Sequence, residues 1–330
     1  MLIVTDAWHP QINGVVRTLD RLQLELGSLG HEVEIVGPDR FRNLPCPTYP
    51  DIRLALAPGG RLARLIDSFQ PCAIHVATEG PLGWAARRYC LTRGLPFTTA
   101  FHTRFPEYVA ARTGLPAALG YALLRRFHAP SSGVMVATAS LEAELGARGF
   151  TNLRRWTRGV DTEMFRPRAD ALLDAPRPIH LYVGRLAVEK NLDAFLSLDL
   201  EGSKVVVGDG PQAAELERGY PEARFLGARV GEDLARLYAA ADVFVFPSRT
   251  DTFGLVLLEA LASGVPVAAF PVPGPLDVID GSGAGALDED LGTAIRAALR
   301  VPRERCREHA LTYSWRRSAE QFLDNLRPFA

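Results

Sequence analysis

Ile179-His180-Leu181-Tyr182-Val183-Gly184-Arg185-Leu186-Ala187-Val188-Glu189-Lys190-Asn191-Leu192 begins as a short β-rich run, turns at a glycine, carries two cations and enters a helical period. A strand that is apolar on both faces needs cover on both faces. Helices flanking a parallel sheet supply that cover. The same alternation continues outward, with strands expected at 204–207, 223–226, 243–246 and 267–270. The helices between them are expected near 192–198, 213–218, 232–240, 255–263 and 291–299. The first half repeats the scheme, with strands at 2–5, 33–36, 73–76, 97–101 and 134–138. Pro45, Pro47 and Pro50 mark an extended loop within it. The expected fold is therefore α/β, with two Rossmann-like doubly wound parallel-sheet domains.

A chain of 330 residues is long for one core, which agrees with two domains. The polar, proline-terminated segment 158–167 sets the expected boundary, giving domains 1–165 and 166–313. Residues 314–330 read as an amphipathic helix packing back toward the first domain. Tandem doubly wound domains would hold a ligand in the cleft between the carboxyl ends of their sheets.

The net charge of −1 supplies no field toward nucleic acid, and no nucleic-acid partner is expected. Residues 1–165 carry +4 and the remainder −5, a mild bias that would favour contact of the first half with an anionic membrane. Cys46, Cys72, Cys90 and Cys306 are scattered, with no metal-ligand spacing, and read as reduced thiols. The longest apolar runs are about eight residues, well short of a membrane span. Strand 2–5 starts at once, so the N-terminus does not read as a signal peptide. A cytoplasmic chain, peripheral on the inner face of the membrane, is expected. Of 37 basic residues only Lys190 and Lys204 are lysines, which draws attention to both.

Four polar segments fall at the carboxyl ends of expected strands. In the first, quoted above, Arg185 offers a planar fork and Lys190 a compact charge, together able to neutralise a diphosphate. The second is Ser248-Arg249-Thr250-Asp251-Thr252-Phe253-Gly254-Leu255 with Glu259 beyond it. Asp251 or Thr252 is expected to cap a helix whose first amides, at Phe253, Gly254 and Leu255, would face an anion. On one helix, Asp251 and Glu259 would lie roughly 12 Å apart, comparable with the distance from a transferred sugar to the ribose of its nucleotide. The third is Asp6-Ala7-Trp8-His9-Pro10-Gln11-Ile12-Asn13-Gly14, where Gly14 permits close backbone approach. The fourth is Phe101-His102-Thr103-Arg104-Phe105-Pro106-Glu107-Tyr108. There His102 could hydrogen-bond a sugar hydroxyl, and Arg104 and Tyr108 could line an acceptor pocket with Glu79 of Thr78-Glu79-Gly80-Pro81. A solvated strand-to-helix turn accounts for any one of these alone; their repetition carries the argument. Asp288-Glu289-Asp290 spells a DxD pattern, but it opens a helix where acids serve the dipole, so no metal site is expected.

Taken in order, Gly184-Arg185-Leu186 with Glu189-Lys190-Asn191, Gly208-Asp209-Gly210-Pro211 and Asp251-Thr252-Phe253-Gly254-Leu255-Val256-Leu257-Leu258-Glu259 resemble the retaining family 4 glycosyltransferases. The resemblance covers nearly the whole chain. It implies the GT-B fold, with two domains facing across a cleft, and a nucleoside diphosphate sugar as donor substrate, with no cofactor or essential divalent metal. It further implies that Arg185 and Lys190 hold the diphosphate, Glu259 the ribose, and Asp251 and His102 the transferred sugar, with Gly14 near the phosphates. Many members carry Glu where Asp251 stands. The segments 5–19, 78–83 and 101–108 are similar to a branch that includes bacterial diacylglycerol glycosyltransferases and lipid mannosyltransferases. That branch implies a lipid acceptor and a glucose, glucuronic acid or mannose type of donor, with a GDP-mannose-dependent enzyme on another glycolipid or saccharide as the alternative. Two rivals lie further away. A GT-B sugar-nucleotide epimerase would need acid/base carboxylates, for which Asp6, Glu79 and Glu107 are the candidates. A two-lobed binding protein would have secreted relatives with a signal peptide.

Overall fold

The computed structural model describes residues 1–11, 13–46, 49–169 and 173–329, with the side chains of 49–51, 108 and 111–113 set aside. The chain divides into two compact units, Met1–Arg158 with Trp315–Ala330, and Gly159–Ser314.

In the first unit, strands β1 (Leu2–Val4), β2 (Glu34–Val36), β5 (Ile74–Val76), β6 (Thr98–Ala100), β7 (Gly133–Val136) and β8 (Leu153–Arg155) form one parallel sheet in the order β2-β1-β5-β6-β7-β8. Helices α1 (Gly14–Ser28), α2 (Gly59–Phe69), α3 (Pro81–Arg93), α4 (Phe105–Thr113), α5 (Ala117–His128) and α6 (Ala139–Ala147) connect them. Where Pro45 and Pro50 mark a loop, β3 (Asn43–Cys46) and β4 (Tyr49–Ala55) instead pair as an antiparallel hairpin, and Pro47 lies outside the described residues. A two-stranded ribbon is all edge, and there proline costs no ladder bond that the sheet needs.

The second unit holds β9 (Ile179–Val183), β10 (Ser203–Val207), β11 (Arg224–Phe225), β12 (Val243–Phe246), β13 (Val267–Ala269) and β14 (Gly285–Leu287). They too are parallel, in the order β11-β10-β9-β12-β13-β14. Its helices are α7 (Asp193–Leu196), α8 (Ala213–Gly219), α9 (Gly231–Ala240), α10 (Leu255–Ala262), α11 (Pro275–Ile279), α12 (Leu291–Ala298) and α13 (Arg303–Ala310). The chain leaves β9 toward β10 on one side and leaves β12 toward β13 on the other. The crevice between β9 and β12 is thus a topological switch point, where α/β sheets bind ligands.

One detail of the division differs from the sequence reading. Residues 159–165 group with the second unit, because Arg307 of α13 donates to the carbonyls of Thr162 and Phe165 at 3.0 and 2.8 Å. The last helix, α14 (Trp315–Asn325), groups with the first unit as the sequence reading expects, and there Ala319, Phe322 and Leu326 share a buried cluster with Leu19, Leu22 and Leu26 of α1. None of the described helices is long and apolar enough to cross a membrane.

The switch point of the first sheet, between β1 and β5, is closed by Asp6. Its carboxylate accepts from the amides of Leu82 at 2.8 Å and Gly83 at 3.2 Å and from the Thr78 hydroxyl at 3.0 Å. It therefore satisfies first-turn donors of α3, whose N-cap, Gly80, brings no side-chain acceptor. Burial pushes the Asp6 carboxyl above its ordinary value, and the two amides oppose that shift. Asp6→Ala is expected to destabilise the protein by about 1–3 kcal/mol, because two buried amides lose their acceptor. Asp6→Asn, which keeps one acceptor oxygen, should fall between Ala and wild type in urea unfolding.

Candidate functional site

Two loops meet at the switch point of the second unit. The loop after β9 is fixed to the loop after β10 by Gly184 N–H to Val207 O at 3.0 Å, Leu186 N–H to Asp209 O at 2.9 Å and Gln212 N–H to Leu186 O at 3.0 Å. The approach is so close that a Cβ on Gly208 would meet the Gly184 carbonyl oxygen at 1.8 Å, and Gly208 has φ +146°. On the other side, Ser248 and Thr250 donate their hydroxyls to Glu189 O at 3.3 and 3.2 Å, and Asn191 donates to Pro247 O at 3.1 Å.

Across this seam Lys190 Nζ lies 2.5 Å from Asp251 Oδ1. Both side chains are about four-fifths buried, at 20% and 18% exposure. The second oxygen, Asp251 Oδ2, is buried and has no hydrogen-bond partner among the described residues. A carboxylate oxygen in that state is a ready acceptor for a ligand hydroxyl. Arg185 is half-buried on the same loop, and its carbonyl accepts from the Tyr182 hydroxyl at 2.9 Å.

The cap expected at Asp251 or Thr252 is not made. The N-cap of α10 is Gly254, at φ +85° with no side-chain acceptor, so Asp251 stands in the loop three residues before the cap. The single-helix spacing of Asp251 and Glu259 is replaced by a loop followed by a helix. A glycine N-cap provides the left-handed turn and leaves the first-turn amides, beginning with Leu255, without a side-chain cap. Phe253 is buried. Glu259 sits on the second turn of α10, 7% exposed, and its Oε2 accepts from the Tyr238 hydroxyl at 3.0 Å. Tyr238 is wedged between Phe165 and Phe244, with ring centroids at 5.6 and 5.7 Å. The sequence reading passed over Tyr238, since an aromatic on the buried face of an amphipathic helix signals only core.

In the first unit, Gly14 opens α1 beside Asn13, whose side-chain oxygen accepts from the amides of Val15 and Val16 at 3.0 Å each. His102 follows β6, and its Nδ1 lies 3.2 Å from Arg158 Nη2. Burial pulls the His102 imidazole well below its ordinary pKa, with Arg158, His75 and His128 adding to the shift. Glu79 is buried and paired with His128 Nε2 at 3.2 Å. Arg104 forms a two-pronged pair with Glu144 at 3.1 and 2.6 Å, and is 9% exposed. Glu107 accepts from the Tyr121 hydroxyl at 2.5 Å. The Tyr108 side chain lies outside the described residues. Among the described residues no three His, Cys, Asp or Glu gather to hold a metal ion, and Asp290 caps α12 through the amides of Gly292 and Thr293.

The description "Glycosyl transferases group 1" fits residues 177–301, and "Glycosyltransferase Family 4" fits residues 12–164. The chain is 33% identical to a GDP-mannose-dependent alpha-mannosyltransferase of Mycobacterium tuberculosis, over 86% of this chain and 82% of that one. It is 28% identical to an alpha-monoglucosyldiacylglycerol synthase of Streptococcus pneumoniae, over 99% of this chain and 84% of that one. The fold is similar to that of sucrose-phosphate synthase from Thermosynechococcus elongatus, with a TM-score of 0.76 at 22% identity, covering 98% of this chain and 97% of that one.

The packing of the two loops yields a stability prediction. Gly208→Ala is expected to cost about 1–3 kcal/mol through overpacking against the Gly184 carbonyl, and to weaken binding of nucleoside diphosphates. Gly219→Ala, where nothing lies within 4 Å of the added Cβ, is the control and should be neutral or slightly stabilising. Thermal melts and calorimetric titration with UDP and GDP check both.

Proposed function

The chain belongs to the family 4 glycosyltransferases of the GT-B fold, and from that membership we propose that it transfers a hexosyl group, with retention, from a nucleoside diphosphate sugar to the hydroxyl of a diacylglycerol-type lipid. The observation that carries the reading is the Lys190–Asp251 pair, whose second carboxylate oxygen is buried and has no hydrogen-bond partner among the described residues. In this reading Arg185 and Lys190 neutralise the diphosphate, joined by the amides at Phe253, Gly254 and Leu255. Asp251 Oδ2 accepts a hydroxyl of the transferred sugar, and His102 donates to another. Glu259, oriented by Tyr238, takes the ribose diol, and Gly14 lets the backbone of α1 approach the phosphates.

Stabilising charge on the departing diphosphate is the main catalytic contribution of such a site. The leaving phosphate oxygen then takes the proton of the incoming hydroxyl on the same face of the sugar. No side-chain base is needed, and no metal is invoked. The three carboxylates that an epimerase would employ are engaged elsewhere, Asp6 with the amides of α3, Glu79 with His128 and Glu107 with Tyr121. For the donor, the Mycobacterium tuberculosis relative favours GDP-mannose and the Streptococcus pneumoniae relative a glucosyl donor.

The lipid acceptor draws support from α5. Leu119 and Leu123, one turn apart, are 64% and 55% exposed, and Arg125 and Arg126 follow on the same helix. Apolar residues beside arginines suit the interface of an anionic bilayer, and would make the protein peripheral on the cytoplasmic leaflet. Glu79, Arg104 and Tyr108 remain the proposed acceptor side, with Arg104 acting through its pair with Glu144.

Three measurements test these statements. UDP- and GDP-sugars are screened for thermal stabilisation, then for transfer to diacylglycerol and to soluble saccharides, with and without EDTA. Transfer that needs acceptor and survives EDTA is expected; donor conversion without acceptor would move the assignment to an epimerase. Lys190→Ala should lower turnover by about 10²–10³-fold while the melt stays cooperative. Leu119→Ser with Leu123→Ser should weaken sedimentation with phosphatidylglycerol vesicles and leave transfer to a soluble acceptor intact.

A further inference from the structure

Arg158 stands out among the described residues as a buried guanidinium to which no carboxylate is paired. It is 4% exposed, its charge centre sits 4.1 Å over the Trp156 ring, and burial lowers its pKa to about 9. Nη1 donates to the carbonyls of Trp156 at 2.7 Å and Thr157 at 3.2 Å, and Nη2 faces His102 Nδ1 at 3.2 Å. A charge taken out of water without a counter-ion is costly, so the hydrogen bonds it makes must be well fixed.

That fixing comes from the C-terminal helix. Gln321 Oε1 accepts from the Thr157 amide at 3.0 Å and from its hydroxyl at 2.9 Å. Ser318 donates to Thr157 O at 2.7 Å, the carbonyl that also receives Arg158. Asn325 donates to Arg155 O at 2.7 Å. The chain leading out of β8 is therefore clamped at Arg155 and at Thr157, and the guanidinium is aimed at His102.

A guanidinium has five N–H donors and no acceptor. The nitrogen it faces must accept, so His102 Nδ1 carries no hydrogen and, in the neutral ring, Nε2 does. We propose that Arg158 is a positioning residue that locks His102 as the neutral Nε2–H tautomer, making it a fixed hydrogen-bond donor to the sugar and never a general acid or base. The second half of this statement rests on His102 as a sugar contact; the lock does not.

Protonating the ring would set an Nδ1–H against a guanidinium N–H and bring two positive charges into a buried site. The other titratable groups near His102 do not relieve this. His75 on β5 bonds Thr98 Oγ1 at 2.9 Å, and its pKa lies at about 3. His128 at the end of α5 bonds Thr99 Oγ1 at 2.9 Å and spends its Nε2 on Glu79 at 3.2 Å.

Long-range proton–nitrogen NMR of the ¹⁵N-labelled protein reads the tautomer directly, with His102→Gln to assign the signal. Wild type should show the Nε2–H form of His102 from pH 8 to the lowest pH at which the fold persists, with no titration near the ordinary histidine pKa. Arg158→Met removes the donor, and His102 should then lose its single tautomer, with Nδ1–H signal appearing beside Nε2–H, while burial still keeps the ring neutral. In that variant kcat should fall, while the KM for donor changes little. Arg158→Lys, which keeps a charged donor, should retain the Nε2–H form. Wild-type His102 found as the Nδ1–H tautomer, or protonated near pH 6.5, overturns the proposal, and this measurement stands even when Arg158→Met does not fold. A locked tautomer in a protein that transfers no sugar would leave the lock intact and remove the proposed function instead.

Discussion

The ion pair between Lys190 and Asp251 is the constraint around which the second unit is arranged. Its members come from loops that follow adjacent central strands, β9 and β12, so the pair exists only because the parallel order brings those two carboxyl ends together. A partly buried pair is a modest source of stability, since desolvation offsets most of the Coulomb gain. Breaking it is another matter, because each partner is left charged in a poorly solvated seam. The seam is accordingly overdetermined. Glu189 O receives two hydroxyls from the opposite loop, and Asn191 reaches Pro247 O. The loop after β10 supports the assembly from below through Gly208, where no other side chain fits.

The first unit solves the same topological problem with different chemistry. At its switch point the tie is a carboxylate on backbone amides, Asp6 on Leu82 and Gly83, rather than a carboxylate on an ammonium. Such a tie uses the carboxylate fully and leaves nothing for a ligand. In the second unit the pair consumes one oxygen of Asp251 and leaves the other open. That difference separates a carboxylate used up by backbone amides from one that keeps an oxygen without a partner among the described residues, each beside the switch point of its own sheet. It also explains why Asp6, attractive in the sequence as an acid at a strand end, drops out as a catalyst.

Central strands and the main ligand loops were legible because burial on both faces writes an unbroken apolar run, and because cations and glycines follow it directly. The edge strands β2 and β11 were legible too, but those at the opposite edges were not. Leu153–Arg155 and Gly285–Leu287 are three residues each with no apolar run, and only their pairing with β7 and β13 makes them strands. The cap of α10 was misread because Asp and Thr are stronger local signals than the Gly254 that actually turns the chain. Lysine scarcity pointed at Lys190 and Lys204 alike. The first holds Asp251, whereas the second donates to Leu196 O at 2.6 Å and braces α7. Partners distant in sequence were invisible: Glu144 lies 40 residues from Arg104, and Arg158 lies 56 from His102. In a chain whose basic residues are nearly all arginines, nothing local set Arg158 apart from Arg154 or Arg155.

Those distant pairings bear on how the chemistry is divided. Three histidines near the carboxyl end of the first sheet are each fixed in place by burial or by hydrogen bonds. His75 is kept neutral by burial, His128 is spent on Thr99 and Glu79, and His102 receives a hydrogen bond from a guanidinium. A site built this way fixes the orientation of donors and acceptors. Transfer through such a site needs its proton acceptor from the substrate, and the oxygen that becomes more basic as the sugar leaves is the departing phosphate. The fixed histidines are thus consistent with the proposed reaction, in which the protein sets geometry and field and the donor phosphate takes the proton.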